Sequence, residues 1–191
     1  PTTLAQECLK KKRGGIYTMP DDRCQQIQCI LSDVDGVLTD GGILFNNEGI
    51  ETKSFHIRDG LGIKLWQRAG YQFGILTART SHIVKVRSAE LGIKIVRQGF
   101  EEKLPIAQQI MAELKVDPAQ VCYIGDDLTD LPVMRHVGWS VAVADAVSEI
   151  RDHADQVTKA AGGCGAVREL IEYLLRAKGR WEDLIRHYTT D

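Results

Sequence analysis

The chain has 191 residues, of which 43% are hydrophobic and 26% charged, with a formal net charge of −2. That is room for one packed domain and a short appendage, with a globular composition, and no basic surplus to meet a phosphate backbone, which disfavours a nucleic-acid partner. No apolar run approaches the ~18 residues of a membrane span, nothing at the N-terminus resembles a signal peptide, and the five scattered cysteines (Cys8, Cys24, Cys29, Cys122, Cys164) read as reduced thiols, so a cytoplasmic protein without a membrane partner is expected.

Residues 1–26 are polar and carry the basic run Lys10, Lys11, Lys12 and Arg13. They read as a flexible, solvated leader to one domain over 27–191. From Ile27 onward short apolar runs alternate with segments of helical period. The runs 27–31, 72–76, 93–96, 121–124 and 140–143 are β-branched-rich and bounded by Gly, Asp or Ser, the pattern of buried parallel strands. Leu104, Ala107, Met111 and Leu114 share one helical face, as do Val167, Leu170, Ile171, Leu174 and Leu175. Gly70, Gly92 and Gly138 follow helical stretches, where a left-handed cap is wanted. Such alternation predicts an α/β fold: a three-layer α/β/α, doubly wound, mostly parallel sheet with right-handed crossovers. One segment departs from it. Residues 43–57 straddle Asn46-Asn47-Glu48-Gly49 and predict a β-hairpin inserted after the first strand, with no cap domain.

Open α/β sheets bind ligands beyond the carboxyl ends of their strands, and four strand ends here carry suitable groups: Asp33-Val34-Asp35-Gly36, Thr77-Ala78-Arg79, Lys103, and Gly125-Asp126-Asp127-Leu128-Thr129-Asp130. Each alone has an ordinary explanation as a turn, an N-cap or a surface charge. A calcium loop starting at Asp33 fails, because its sixth and twelfth positions are Leu38 and Leu44 where Gly and Glu are required. Together and in this order the four elements fit phosphoryl transfer, in which an anionic nucleophile meets a dianionic ester and cations must offset the repulsion. Asp33 and Asp126 can supply carboxylates to Mg²⁺, with the Asp35 carbonyl as a third ligand. Asp127 and Asp130 would steady metal-bound waters or Lys103, while Thr77, Ala78 and Lys103 hold phosphate. Two acids two residues apart can divide the work: Asp33 attacks phosphorus, and Asp35 protonates the leaving alkoxide and later activates water.

The ordered set resembles the haloacid-dehalogenase-like phosphatase superfamily. Within it, DVDGVLTDG (33–41), FNNEG (45–49), HIRDGLGI (56–63), GDDLTDLPVM (125–134), VAVADA (141–146) and GAVRE (165–169) are similar to the subfamily acting on 3-deoxy-D-manno-octulosonate 8-phosphate (KDO 8-phosphate) for lipopolysaccharide synthesis. The resemblance implies Asp33 as nucleophile, Asp35 as acid/base, and Mg²⁺ on Asp33, Asp35 and Asp126. It further implies that a small acidic sugar phosphate is contacted by His56, Ile57, Arg58, Asp59, Gly60, Lys64, Arg79, Arg87 and Lys103, and that sites in a homotetramer are closed by a neighbour's hairpin. Ala78 stands where relatives often have Gly, and Cys164 where a basic residue is common, which bears on specificity. The competing readings are a nonulosonate 9-phosphate phosphatase, a phosphoaccepting receiver-like domain, and a regulatory module. A receiver pairs adjacent acids and has no GDDxxD. A phosphosugar mutase would want a sizeable cap, and the interval from Thr39 to Arg58 offers only a hairpin.

Overall fold

All five apolar runs become strands of one parallel sheet in the computed structural model, which describes residues 21–186 and Tyr188. The sheet strands are β1 (Cys29–Ser32), β4 (Gln72–Thr77), β5 (Ile95–Gln98), β6 (Val121–Gly125), β7 (Trp139–Ala142) and β8 (Gln156–Val157), in the spatial order β5-β4-β1-β6-β7-β8. Two residues are too few to show a period, so β8 has no signature in the sequence. The predicted hairpin forms a separate antiparallel pair, β2 (Leu44–Phe45) and β3 (Glu51–Thr52). It is shorter than 43–57, because Ile57 already opens a helix.

The helices are α1 (Arg23–Gln26), α2 (Ile57–Arg68), α3 (His82–Leu91), α4 (Lys103–Leu114), α5 (Leu131–Met134), α6 (Ser148–His153), α7 (Ala166–Ala177) and α8 (Trp181–Arg186). Right-handed crossovers carry α2 and α3 to one face and α4 to α6 to the other, and α7 packs along α2, giving the expected three layers. Among the described residues, no helix is long and apolar enough to cross a membrane.

The core lies between sheet and helices. Ile30, Leu31, Leu76, Tyr123, Ile124 and Val141 are buried from the strands, while Trp66, Ile110, Leu170 and Leu174 close over them; each such side chain contributes about 1.5–3 kcal/mol by leaving water. Trp139 and Trp181 are buried as well. Cys24, Cys29 and Cys122 are buried thiols and Cys164 an exposed one. Burial pushes the Cys29 thiol up to about 12, so it packs as a small hydrophobe.

Two expectations need correction. The leader does not run to residue 26: α1 is packed, with Cys24 buried, the Gln25 amide donating to the Ala177 carbonyl (2.6 Å) and the Arg23 guanidinium 4.5 Å above the Trp139 ring. Residues 1–20, with the basic run and Cys8, lie outside the described residues. Gly70 and Gly92 adopt the left-handed backbone of helix ends, but Gly138 does not. Its requirement is space, since a Cβ there would fall 2.2 Å from the Ala119 carbonyl oxygen.

Candidate active site

Strand order places the site. The chain runs from β1 to β4 and β5 on one side, then crosses back to β6, β7 and β8 on the other, so the connections leaving β1 and β6 diverge at a topological switch point. Ser32 pairs with Ile124, and the Asp33 N–H donates to the Ile124 carbonyl (3.1 Å). Asp33 and Asp126 therefore emerge side by side at two adjacent strand ends. Gly36 turns the chain with φ +88°, and a Cβ there would lie 2.0 Å from Asp126 Oδ2. The glycine of the DxDG run is thus required both by its backbone and by the carboxylate beside it.

One oxygen each of Asp33, Asp126 and Asp130 lies within 4.8 Å of the others. Lys103, 1% exposed at the start of α4, donates to Asp33 Oδ2 (2.7 Å) and Asp130 Oδ1 (2.6 Å). Asp33 Oδ1 accepts from the Val34 N–H (2.6 Å). Asp130 is fully engaged: Oδ1 also accepts from the Tyr123 hydroxyl (2.6 Å), and Oδ2 accepts the N–H groups of Asp126 (2.9 Å) and Asp127 (3.3 Å). It is the second carboxylate that holds Lys103. Asp127 does not share that task, because its carboxylate is exposed and accepts from the Leu128 N–H (2.7 Å), capping the 3₁₀ turn Leu128–Asp130.

Three carboxylates face one ammonium. Burial, followed by repulsion from Asp130, raises the Asp33 carboxyl to about 6 against the pull of Lys103. Burial and then Asp130 and Asp33 raise Asp126 to about 8. Burial opposes the charge on Lys103, but Asp130 and Asp33 together hold its pKa above the ordinary value. Asp126 Oδ1 is buried without a hydrogen-bond partner among the described residues. A cluster short of positive charge, with an orphaned carboxylate oxygen, fits a hard divalent cation with oxygen ligands such as Mg²⁺.

Asp35 points outward from this cluster. Its Oδ1 pairs with Lys53 and its Oδ2 lies 3.6 Å from Arg79 Nε. Arg79 also donates to Glu51 (2.9 Å), as does the Ser81 hydroxyl (2.6 Å); the Ser81 bond, with Arg79 and Lys53 close by, holds the Glu51 carboxyl below its usual range against desolvation. Thr77 ends β4, buried, and its carbonyl accepts from the Gly99 N–H (3.1 Å), with Ala78 half-buried beside it. Of the expected substrate set, His56, Asp59, Gly60 and Arg87 line one narrow cleft with Leu38 and Phe55. His56 caps α2 by accepting from the Arg58 N–H (3.2 Å). Ile57 and Arg58 are exposed and Lys64 half-buried. Arg87 pairs with Glu90 (2.8 Å) and lies 5.8 Å from the Phe55 ring. Asp59 is buried: its Oδ1 accepts from the Arg168 N–H (2.7 Å), tying α2 to the first turn of α7, while its Oδ2 has no hydrogen-bond partner among the described residues.

Sequence reasoning missed Lys53, Glu51, Ser81 and Tyr123. Glu51 and Lys53 look like solubilising charges on an exposed hairpin; their i, i+2 spacing, which puts both on one face of the strand, was the available signal. Tyr123 hides inside an apolar strand, where a phenol needs a partner for its hydroxyl.

A parallel sheet with an acid pair after its first strand, a strand-end Thr, a buried Lys and a GDDxxD turn defines a haloacid-dehalogenase-like hydrolase, and residues 81–171 match the family of that description. The chain is 42% identical over 170 residues to the 3-deoxy-D-manno-octulosonate 8-phosphate phosphatase of Salmonella typhi, covering 89% of this chain and 90% of that one. It is 44% identical over 161 residues to that of Escherichia coli K12, covering 84% and 86%. The crystal structure of the Moraxella catarrhalis phosphatase in complex with magnesium, phosphate and KDO superposes with a TM-score of 0.86 at 36% identity, over 87% of this chain and 96% of that one. The chain belongs to the KDO 8-phosphate phosphatase family of haloacid-dehalogenase-like hydrolases.

Proposed function

We propose that this protein is a Mg²⁺-dependent phosphomonoesterase that hydrolyses KDO 8-phosphate to KDO and inorganic phosphate, serving lipopolysaccharide precursor synthesis. The observation that carries this reading is the Asp33–Lys103–Asp130 chain of contacts beside the orphaned Asp126 oxygen. It is a nucleophilic carboxylate fixed at a strand end, in a cluster short of positive charge.

A carboxylate oxygen of Asp33 attacks phosphorus. The phosphorus–ester oxygen bond breaks, and its electron pair passes to the sugar oxygen, which takes a proton from Asp35. Water then attacks the phosphoaspartate and gives a proton to Asp35, releasing phosphate and restoring Asp33. Lys103, held by Asp130, offsets phosphate charge beside Thr77 and Ala78. Mg²⁺, when held by Asp33, Asp126 and the Asp35 carbonyl, supplies the charge that lets a dianionic ester approach a carboxylate. Arg79, Arg87 and Lys64 are the cations available to the sugar carboxylate, with His56, Ile57, Arg58 and Gly60 lining its path.

The protein acts in the cytoplasm as a homotetramer in which a neighbour's hairpin helps close each site. Supporting this, Ile43, Leu44, Phe45 and Ile50 are exposed on the hairpin rather than folded back on the core, and exposed apolar surface of this kind marks interfaces.

Phosphate release from a panel of phosphate monoesters tests the assignment. KDO 8-phosphate is expected to give the highest kcat/KM with Mg²⁺, with EDTA stopping turnover and added Mg²⁺ restoring it. Full activity in excess chelator would refute the metal assignment. A nonulosonate 9-phosphate ranking first would change the substrate and leave the chemistry in place.

A further inference from the structure

The hairpin foot carries an ion-pair ring, two of whose members, Lys53 and Glu51, have no part in the mechanism above. Asp35 pairs with Lys53, Lys53 with Glu51 (3.3 Å), Glu51 with Arg79 (2.9 Å), and Arg79 approaches the second oxygen of Asp35 at 3.6 Å. Two acids and two bases alternate, so the ring is neutral. It joins three segments: the loop after β1, the end of β3, and the loop between β4 and α3, where Ser81 adds its hydroxyl to Glu51 (2.6 Å).

Lys53 is the enclosed member. Its side chain is 1% exposed, whereas that of Arg79 is 43% exposed. A buried ammonium is tolerated only with its partners in place, so a long, otherwise adaptable side chain is confined to one geometry. Through it the Asp35 carboxylate is fixed as well, gripped at Oδ1 from the hairpin and at Oδ2 from the β4 loop.

We propose that Lys53 is a positioning residue for Asp35, by which the foot of the hairpin orients the carboxylate that delivers a proton to the leaving sugar oxygen. This rests on the phosphoaspartyl reading above, in which the ester bond breaks as that oxygen takes the Asp35 proton. Lys53 pairs with Asp35 and Glu51, not with Asp33. Its influence should therefore appear only where the leaving group needs the proton.

The test measures leaving-group release in single turnovers with Mg²⁺-loaded enzyme in excess, so that later hydrolysis of the phosphoaspartate does not enter. KDO 8-phosphate releases an alkoxide that needs a proton; p-nitrophenyl phosphate releases a phenolate that does not. Lys53→Met keeps the stem and removes the charge. It is expected to slow sugar release about 10–100-fold, within the range general acids contribute, and nitrophenolate release by less than about threefold. Lys53→Arg, which retains a cation, should recover most of the sugar rate and shows that the site tolerates substitution. Asp35→Asn measures the acid itself. If it discriminates between the two esters while Lys53→Met slows both equally or neither, the positioning role is overturned and the acid assignment stands. If Asp35→Asn fails to discriminate, the acid assignment falls and the role of Lys53 falls with it.

Discussion

At the scale of single residues, the site is built on unequal carboxylates. Asp33 has one oxygen on a backbone N–H and one on Lys103, Asp130 has both oxygens taken by four donors, and Asp126 keeps one oxygen unpartnered. Under the proposed mechanism the same residue type would serve as nucleophile, anchor and cation ligand according to which lone pairs the fold leaves over. Asp33→Asn is nearly isosteric but makes a poor nucleophile; we expect turnover to fall by about 10⁴-fold or more, with an unfolding midpoint close to that of the parent. Near wild-type turnover in that variant would sink the covalent mechanism. Tyr123→Phe removes only the hydroxyl that donates to Asp130. A buried hydrogen bond to a charged acceptor contributes roughly 1.5–3 kcal/mol, and denaturant unfolding should register a loss of that size. An unchanged midpoint would mean that Asp130 finds another donor.

Among the elements, the hairpin is the least self-sufficient. Its strands are two residues each and their apolar side chains face outward, while its foot is bolted down through Glu51 and Lys53. Anchorage and display are thus separated within residues 43–53. Deleting the tip, 46–49, leaves the foot contacts in place. KM for KDO 8-phosphate is expected to rise several-fold with a smaller change in kcat, and the sedimentation coefficient to stay near that of the parent. A collapse to monomers would show that the tip drives assembly instead of substrate capture. The hairpin was legible from its Asn-Asn-Glu-Gly turn, though shorter than the 43–57 expected. Its register against Asp35 was not, because pairing of Lys53 with Asp35 joins positions 18 residues apart that no local periodicity relates.

For the whole molecule, two measurements follow. A homotetramer predicts a sedimenting mass of about four times the 21.2 kDa chain at micromolar concentration, and an active monomer under assay conditions would contradict it. Metal and stability are also linked. Asp126 titrates near 8 in the metal-free fold against an ordinary value of 3.8, so between those values the folded state keeps a proton that the unfolded chain releases. Metal-free stability should therefore fall as pH rises from about 4 to about 8, and saturating Mg²⁺, which binds only the folded carboxylates, should flatten or reverse that fall. Thermal melts across this range, with and without Mg²⁺, read it directly; identical pH profiles would argue against Asp126 as a cation ligand.

The sequence by itself determined the sheet strands longer than two residues, the amphipathic helices and the four strand-end motifs, because short continuous apolar runs and 3.6-period apolar residues are local patterns and a Gly beside an Asp limits what the backbone can do. Tertiary structure alone decided how the charged residues pair. Asp127 caps a turn, Asp59 ties α2 to α7, and Lys53 reaches Asp35. A carboxylate carries the same formal charge wherever it stands in the chain, and its role is set by the donors that distant segments bring within about 3 Å.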